Sequence, residues 1–392
     1  IYLLMKKLII LGLSLMVNTI VFGQEKDQPT AYFQFGGYAK ADALFTTYFN
    51  GQPTADSPIK DIHLPSAIPI GQARTTYDTY FHAKESRFNF DVGGKIKGKS
   101  IRAFVELDFL LSKAGDERVS NSYNPRLREF YIEYDNLIIG QTWSNFMVLI
   151  IPDDLDFAGA AEGLVFNRQP QIRLTLGSWR FSLENPEAFL TSNGGGNYRA
   201  SSGGFPDITA RKDFNGDWGT FSAAALLRGT RIYDNQGERH ATTGYGLTLA
   251  TKLNIGQRDD LRVMATAGNG LGRYVGIAFV NAGVLNNNDD IDLIGSLNGY
   301  ISYLHYWTEN WKSSVNISGF MAQNNTTLGG LDQNRSAWSA SANLLYQVSP
   351  ELMFGGEAMY GYRDQESSVS GSFLRFQFSA KYSFRYKANL GK

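Results

Sequence analysis

The sequence has no cysteine and only four histidines among its 392 residues. The lack of thiols excludes zinc fingers, thiol catalysis and disulfide-held scaffolds, and it suits a chain exported to an oxidising compartment. The histidines are isolated from one another, and the chain contains neither a His-Glu-x-x-His motif nor a Gly-x-Ser-x-Gly motif. We therefore expect a protein that is not an enzyme and that uses no cofactor and no metal.

An excess of charge of one sign is also missing, since 37 basic residues balance 37 acidic residues. Removal of Lys6 and Lys7 with a signal peptide would leave 35 basic against 37 acidic residues. Nucleic-acid binding requires a basic face. The composition thus gives no support to a nucleic-acid partner.

The start of the chain has the pattern of a secretory signal peptide. Lys6 and Lys7 precede an apolar segment at 8–17, and a small residue, Gly23, lies where cleavage would occur. We expect a cleaved signal peptide at residues 1–23 and a single mature domain at residues 24–392.

Long apolar runs are absent from the mature chain. The longest lies near Met147–Ile151, far short of the roughly 20 residues that a membrane helix needs. Such a chain is either secreted or crosses a membrane as strands, because only helices and closed barrels pair every backbone group in lipid.

Alternation of apolar and polar residues is the main signal that the mature chain does contain. Between residues 373 and 384, one parity is apolar throughout and the other is polar throughout. About sixteen such stretches follow one another, an even number as in bacterial outer-membrane barrels. They lie near residues 33–48, 80–96, 100–112, 126–136, 137–146, 170–177, 178–185, 206–214, 218–231, 243–255, 259–269, 292–306, 311–322, 336–348, 351–363 and 373–384.

Short turns and long polar connectors alternate between these stretches. Residues 349–351 form a short connection, whereas residues 50–78, 187–205 and 270–291 are long. Short turns at one end and long loops at the other are typical of outer-membrane barrels. The predicted fold class is all-β: a transmembrane antiparallel β-barrel of about sixteen strands.

The polar positions of the alternating pattern include charged residues, for example Lys40 and Asp42 in the first stretch and Arg102 in the third. A Lys or Arg that faces lipid at mid-membrane costs about 2–4 kcal/mol, so these charges are expected to face the lumen. A lumen enclosed by about sixteen strands is wide enough to hold water. The tryptophans, Trp143 included, are expected in the aromatic girdles at the membrane surfaces.

Three stretches of the chain resemble the DcaP-like family of trimeric porins of Gram-negative outer membranes. They are Leu137–Phe146, Pro152–Gly159 and Phe166–Arg173, and Gly270–Val275 and Asn343–Phe384 are similar too. The resemblance covers most of the mature chain. It implies a sixteen-stranded homotrimer that admits small anions, with dicarboxylates as the substrate class.

Two features depart from that family. Its members can carry a helical N-terminal extension, whereas only about eight residues separate Gly23 from the first strand here. The aromatic residue expected to close the barrel, Phe384, is followed by further residues up to Lys392. Either the assembly signal is internal, or this tail folds into the periplasmic mouth.

The segment at 147–168 is predicted to be a constriction loop that folds into the lumen. Its apolar residues suit packing against an inner barrel wall better than exposure on an external loop. By analogy with other porins, its acidic residues are expected to face a basic wall, since rings of charged side chains give ion selectivity. A calcium site is a weaker alternative, because the full calcium-loop pattern is missing. The acidic residues are Asp153, Asp154, Asp156 and Glu162.

The candidates for the basic wall are arginines, whose planar fork binds both oxygens of a carboxylate. We nominate Arg102, Arg168 and Arg173, with Arg126, Arg128 and Arg180 as further candidates. Each could instead pair with a wall carboxylate such as Glu106 or Asp108. Arg126 and Arg128 share parity with the apolar Phe130, which predicts that they point outward, beyond the membrane band.

The predicted function is passive diffusion of small polar or anionic solutes through a barrel in the outer membrane of a Gram-negative bacterium. The expected partners are outer-membrane lipid, these solutes and further copies of the chain in a homotrimer. Two other classes stay open. One is a barrel that binds without conducting, such as an adhesin or a receptor. The other is an outer-membrane hydrolase, whose catalytic triad would be recognised by geometry rather than by sequence.

Overall fold

The computed structural model describes residues 31–111, 122–201, 203–234 and 236–390. The expected signal peptide at residues 1–23 lies outside this range. Strands dominate the described residues. They are β1 (Ala31–Tyr48), β2 (Thr76–His82), β3 (Arg87–Ile96), β4 (Lys99–Asp108), β5 (Arg126–Tyr134), β6 (Leu137–Trp143), β7 (Arg168–Leu176), β8 (Trp179–Glu184), β9 (Phe189–Thr191), β10 (Tyr198–Ala200), β11 (Asp207–Gly216), β12 (Gly219–Tyr233), β13 (Arg239–Ile255), β14 (Asp259–Asn269), β15 (Gly283–Leu285), β16 (Ile291–Leu293), β17 (Gly295–Tyr306), β18 (Trp311–Gln323), β19 (Asn334–Gln347), β20 (Leu352–Gln365) and β21 (Ser370–Leu390).

Helical structure in the described residues is confined to single turns. Three short 3-10 helices span Pro58–Lys60, Pro65–Ala67 and Gly272–Tyr274, and one α-helical turn, α1, spans Thr326–Gly329. Among the residues that the structure describes, no helix has the length and apolar character needed to cross a membrane.

The main sheet closes on itself. β1 pairs antiparallel with β21 over its whole length, from Ala31 opposite Leu390 to Tyr48 opposite Phe373. On its other side β1 pairs with β3 near one end and with β2 near the other, so β2 and β3 act as one interrupted strand. The 17 strand segments of this sheet therefore make a closed barrel of sixteen strands, which confirms the predicted fold class.

The two ends of the barrel differ in loop length, as predicted. The turns at one end are as short as Lys97-Gly98, where both residues have positive φ, of 51° and 77°. The other end carries the long loops, among them residues 49–75, 144–167 and 270–294. Short turns face the periplasm in outer-membrane barrels, so the long loops mark the extracellular end. There β9, β10, β15 and β16 form a separate four-stranded sheet that the sequence did not predict.

The two faces of the barrel wall have opposite chemistry. On β21, Phe376 and Phe378 are 47% and 55% exposed on the outer face, whereas Arg375 and Gln377 are buried inside. The same inward burial holds for Lys40, Asp42 and Glu106. The prediction that charged residues face the lumen is therefore confirmed.

The last strand runs beyond the aromatic that was expected to close the barrel. β21 continues from Phe384 to Leu390, and β1 supplies partners for it as far as Ala31. Tyr386 and Leu390 stay on the exposed outer face. The expectation that this tail folds into the periplasmic mouth is wrong for the residues described, because the free edge of β1 pairs with them instead.

Candidate functional site

The loop between β6 and β7 lies inside the barrel and narrows its lumen. Its residues Phe146, Met147, Val148 and Leu164 are buried in one cluster with wall residues of β12, β14 and β17. Val165 forms a β-bridge to Val275, and the backbone N–H of Phe166 donates to the Tyr274 carbonyl at 2.9 Å. The packing of apolar loop residues against the inner wall is thus as predicted, and it removes them from the water of the lumen.

Charged wall residues hold the loop backbone in place. The Glu357 carboxylate on β20 accepts the N–H groups of Leu155 and Asp156 at 2.8 and 3.1 Å. Lys40 on β1 donates to the Leu155 carbonyl at 2.6 Å, and Gln377 donates to the same oxygen at 3.1 Å. A buried loop needs such partners, because each unpaired backbone group would cost stability.

Two acidic residues of the loop, Asp156 and Glu162, fasten it to the wall and to the first extracellular loop. Asp156 pairs with Arg375 at 3.1 Å and accepts the backbone N–H of His63 at 2.9 Å. Glu162 bonds to His63 Nε2 at 2.7 Å and accepts the hydroxyls of two wall serines, on β18 and β19. Both carboxylates are buried. They therefore point at the wall behind the loop, not across the lumen.

The other two acidic residues of the loop also contact the wall. Asp153 accepts Lys312 Nζ at 2.7 Å and Arg262 Nη1 at 3.2 Å, and its side chain is 30% exposed. Asp154 accepts the side-chain amide of Asn316 on β18. Among the four acidic residues predicted to face a basic wall, Asp153 is thus placed best to act on a passing ion.

These loop carboxyls lie outside the membrane-spanning strands. Their surroundings shift their pKa values in different directions. Burial alone would raise the pKa of Asp153, yet Lys312 and Arg262 hold that pKa below its ordinary value. Burial also opposes charge on Glu162, but His63 and the serine hydroxyls lower its pKa. Burial raises the pKa of Asp154 well above its ordinary value, and the nearby Glu357 charge adds to the effect. The neighbouring cations and donors thus favour the charged form of Asp153 and Glu162, whereas burial favours the neutral form of Asp154.

The three aspartates of the loop have separate partners rather than a shared centre. In the described part of the chain, no group of three or more His, Asp or Glu side chains is arranged to hold a metal ion.

Three of the nominated arginines pair with wall carboxylates on β3 and β4. Arg102 contacts both oxygens of Asp91, at 3.0 and 2.9 Å. Arg126 contacts both oxygens of Asp108 at 2.8 Å each. Arg128 bonds to Glu106 at 2.6 Å and to Asp108 at 2.9 Å. A neighbouring carboxylate therefore neutralises the charge of each of these three arginines. The sequence left such pairing open as an alternative to a role in selectivity.

The predicted outward orientation of Arg126 and Arg128 is wrong. The register between β4 and β5 shifts between Glu106 and Leu107, so that Arg128 is an extra residue on β5. A bulge of this kind places two successive residues on one face and reverses the parity beyond it. Arg128 is consequently buried inside the barrel, although Phe130 lies on the outer face.

Arg168 is the nominated arginine with the fewest polar partners. No carboxylate of the described residues lies within salt-bridge distance of its guanidinium, and its Nη1 is buried without a hydrogen bond. The guanidinium instead lies 4.7 Å from the Trp143 ring and 5.9 Å from the Phe166 ring. Trp143 was expected in an outer girdle, but it packs inward against Phe166 at the base of the loop.

A second group of arginines lies on β7, β8 and β11. Arg173 makes one long hydrogen bond, at 3.4 Å to the Trp143 carbonyl, and its Nε has no partner. Arg180 stands opposite Arg211 in the β8–β11 register, and the two share Asp213. Arg211 was not nominated from the sequence. The alternation through Asp207, Thr209, Arg211 and Asp213 was the signal that could have identified it.

An aromatic residue of the loop reaches across to the arginine wall. The Phe157 ring lies 5.2 Å from the Arg128 guanidinium and 5.7 Å from that of Arg126. On its other side it packs edge-on against Phe166 at 5.7 Å. The loop therefore spans the barrel between its anchors on β14–β21 and the wall at β5, where Phe157 contacts the arginines.

Comparison with known proteins agrees with this architecture. Residues 34–384 match the family described as DcaP outer membrane protein. No curated protein matches the chain in sequence.

Among solved structures, the outer membrane channel DcaP of Acinetobacter baumannii is similar, with a TM-score of 0.75 at 21% identity over 93% of this chain and 99% of that one. The anion-selective porin of Comamonas acidovorans has a TM-score of 0.55 at 11% identity, over 90% and 100%. OmpT of Vibrio cholerae, an outer membrane protein, has a TM-score of 0.52 at 11% identity, over 92% and 99%.

The family match extends from the first barrel strand to the last, and the structure supplies the closed sixteen-stranded barrel with its inward loop. The chain therefore belongs to the DcaP outer membrane protein family and is an outer-membrane barrel of porin fold from a Gram-negative bacterium.

Proposed function

We propose that this porin mediates passive diffusion of small polar and anionic solutes, and that dicarboxylates are the substrates its passage suits best. The observation that carries the proposal is Arg168, a guanidinium at the base of the constriction loop without a carboxylate partner among the described residues. An arginine in this state can offer its donors to a passing carboxylate, whereas a paired arginine must first release its own.

A second set of donors with few carboxylate partners among the described residues lies along the same wall. Arg173 has an Nε without a partner, and Arg180 and Arg211 have one carboxylate between them, Asp213. This local excess of positive charge attracts anions into the passage and repels cations. Two separated basic groups also suit a solute that carries a carboxylate at each end.

The experiment that tests this proposal measures how strongly succinate blocks the single-channel current in planar bilayers. We predict that Arg168→Ala weakens succinate block about tenfold, the effect of losing roughly 1.4 kcal/mol of charge-assisted hydrogen bonding. Arg168→Lys should keep the anion preference but lose part of the block, because an ammonium lacks the planar fork.

The control for that experiment is Arg258→Ala. Arg258 lies in a periplasmic turn, is exposed and pairs with the exposed Glu309 at 3.1 Å. The control removes the same charge away from the loop and should leave succinate block unchanged. Equal block in wild type and Arg168→Ala would contradict the assigned role of Arg168.

We also propose a homotrimer surrounded by outer-membrane lipid. Ala223 and Ala225 lie on the outer face of β12 and leave a shallow strip there. Small residues on a lipid-facing wall allow close approach of a second barrel, as they do between membrane helices. The number of copies, three, is taken from the resemblance of this chain to the DcaP-like family of trimeric porins.

A further inference from the structure

The extracellular end contains a cavity that is separate from the arginine wall. It measures about 340 Å³, close to the lower end of the roughly 300–1,000 Å³ typical of small-molecule sites. Three loop segments and Ser66 enclose it. The segments are Thr191–Tyr198, Ala278–Asn281 and Gly329–Asn334.

Hydrogen bonds between these segments fix the shape of the cavity. The Gly194 N–H donates to the Leu328 carbonyl at 2.7 Å, and Asn281 Nδ2 donates to Thr191 Oγ1 at 3.1 Å. Asn334 Nδ2 donates to the Phe279 carbonyl at 2.8 Å. A side chain at Gly195 would have its Cβ 2.5 Å from the Gly329 carbonyl oxygen, so the two loops depend on glycine for their close approach.

The lining is rich in amides and poor in cations. Asn197, Asn281, Gln333 and Asn334 line the cavity together with Asp332, and no Lys or Arg is among the described residues that line it. No hydrogen bond within the described residues involves the side chain of Asn197 or the carboxylate of Asp332, so both can serve a ligand. Amides donate and accept, which matches the hydroxyl groups of a sugar. Asp332 adds a negative charge to the lining, which disfavours an anion. Arg363 donates to the Ser66 carbonyl and to Asn334 Oδ1 and does not line the cavity itself.

An exposed aromatic ring completes the site. Tyr198 lines the cavity, is 67% exposed, and is held edge-on by Phe189 at 5.4 Å and 88°. A ring fixed in this way presents an apolar face beside polar groups. The C–H face of a sugar ring needs that combination, whereas a small inorganic anion does not use it.

We propose that this cavity is a binding site for a neutral polyhydroxylated solute, a monosaccharide or a disaccharide, at the extracellular mouth of the barrel. None of the nominated arginines lines this cavity.

The test is isothermal titration of the refolded full chain in detergent with glucose, with maltose, and with maltose in the presence of succinate. We expect saturable binding that Tyr198→Ala weakens about tenfold. Asn197→Ala should also weaken it, and succinate should not compete. Tyr77→Ala is the matched control, because Tyr77 on β2 is 81% exposed and lies outside the cavity.

Heat-modifiable migration in gels establishes that each variant is folded before titration. The proposal is overturned if neither sugar binds saturably to the folded wild type, or if Tyr198→Ala and Asn197→Ala both bind as the wild type does. Displacement of maltose by succinate would also overturn it and assign the cavity to anions.

Discussion

At the residue scale, pairing decides which arginines are available to a solute. Arg102, Arg126 and Arg128 have carboxylate partners within 3.0 Å, whereas Arg168 contacts aromatic rings. Sequence parity correctly placed Arg102 and Arg173 in the lumen. It could not show which arginine is neutralised, because pairing depends on cross-strand register and on side-chain reach.

We expect the Phe157 ring to limit the width of the passage. We expect Phe157→Ala to raise single-channel conductance by tens of per cent, because the ring bridges the loop and the β5 arginines. The change removes no charge, so the ion preference should persist. Conductance of the variant in planar bilayers is the measurement.

Phe189→Ala is the control for Phe157→Ala, since Phe189 lies in the extracellular sheet, away from the loop. Unchanged conductance in Phe157→Ala would show that the narrowest point lies elsewhere.

At the element scale, the alternating pattern predicted the strands well and the interior loops poorly. The sixteen predicted stretches matched the sixteen barrel strands. Each strand has one face toward lipid and one toward the lumen, so apolar and polar residues alternate along it. The bulge at Arg128 broke the pattern without a sequence signal. The loop acids were recognised, but their wall partners come from strands up to about 220 residues away, such as Arg375 for Asp156.

The hydrogen bonds of Glu162 hold the constriction loop against the barrel wall. Glu162→Ala should destabilise the loop by on the order of 3 kcal/mol, because His63 and two buried serines lose their acceptor. We expect faster proteolysis of the loop and noisier current, with the barrel still folded. Limited proteolysis followed by mass spectrometry measures the first effect.

Glu309→Ala is the matched control for the loop variant, since the Glu309 side chain is 83% exposed in a periplasmic turn. Protease resistance equal to that of the wild type in Glu162→Ala would mean that apolar packing alone holds the loop.

At the scale of the whole molecule, the outer surface bears on the proposed trimer. Ala225→Trp should weaken trimer formation, because an indole on the small-residue strip of β12 would hold a second barrel away. Ala342→Trp on β19 is the control, as Ala342 is also exposed on an outer barrel face. Native mass spectrometry of the detergent-solubilised protein measures the oligomer. A trimer fraction that is unchanged by Ala225→Trp would place the interface on another face.

We propose anion conduction past an arginine wall narrowed by the loop. Its most direct test is the reversal potential of the refolded wild-type protein in a planar bilayer with a potassium chloride gradient. We expect stepwise channels whose reversal potential has the sign of chloride selectivity. A folded, heat-modifiable barrel that inserts without conducting, or a reversal potential of the sign of potassium selectivity, would contradict it.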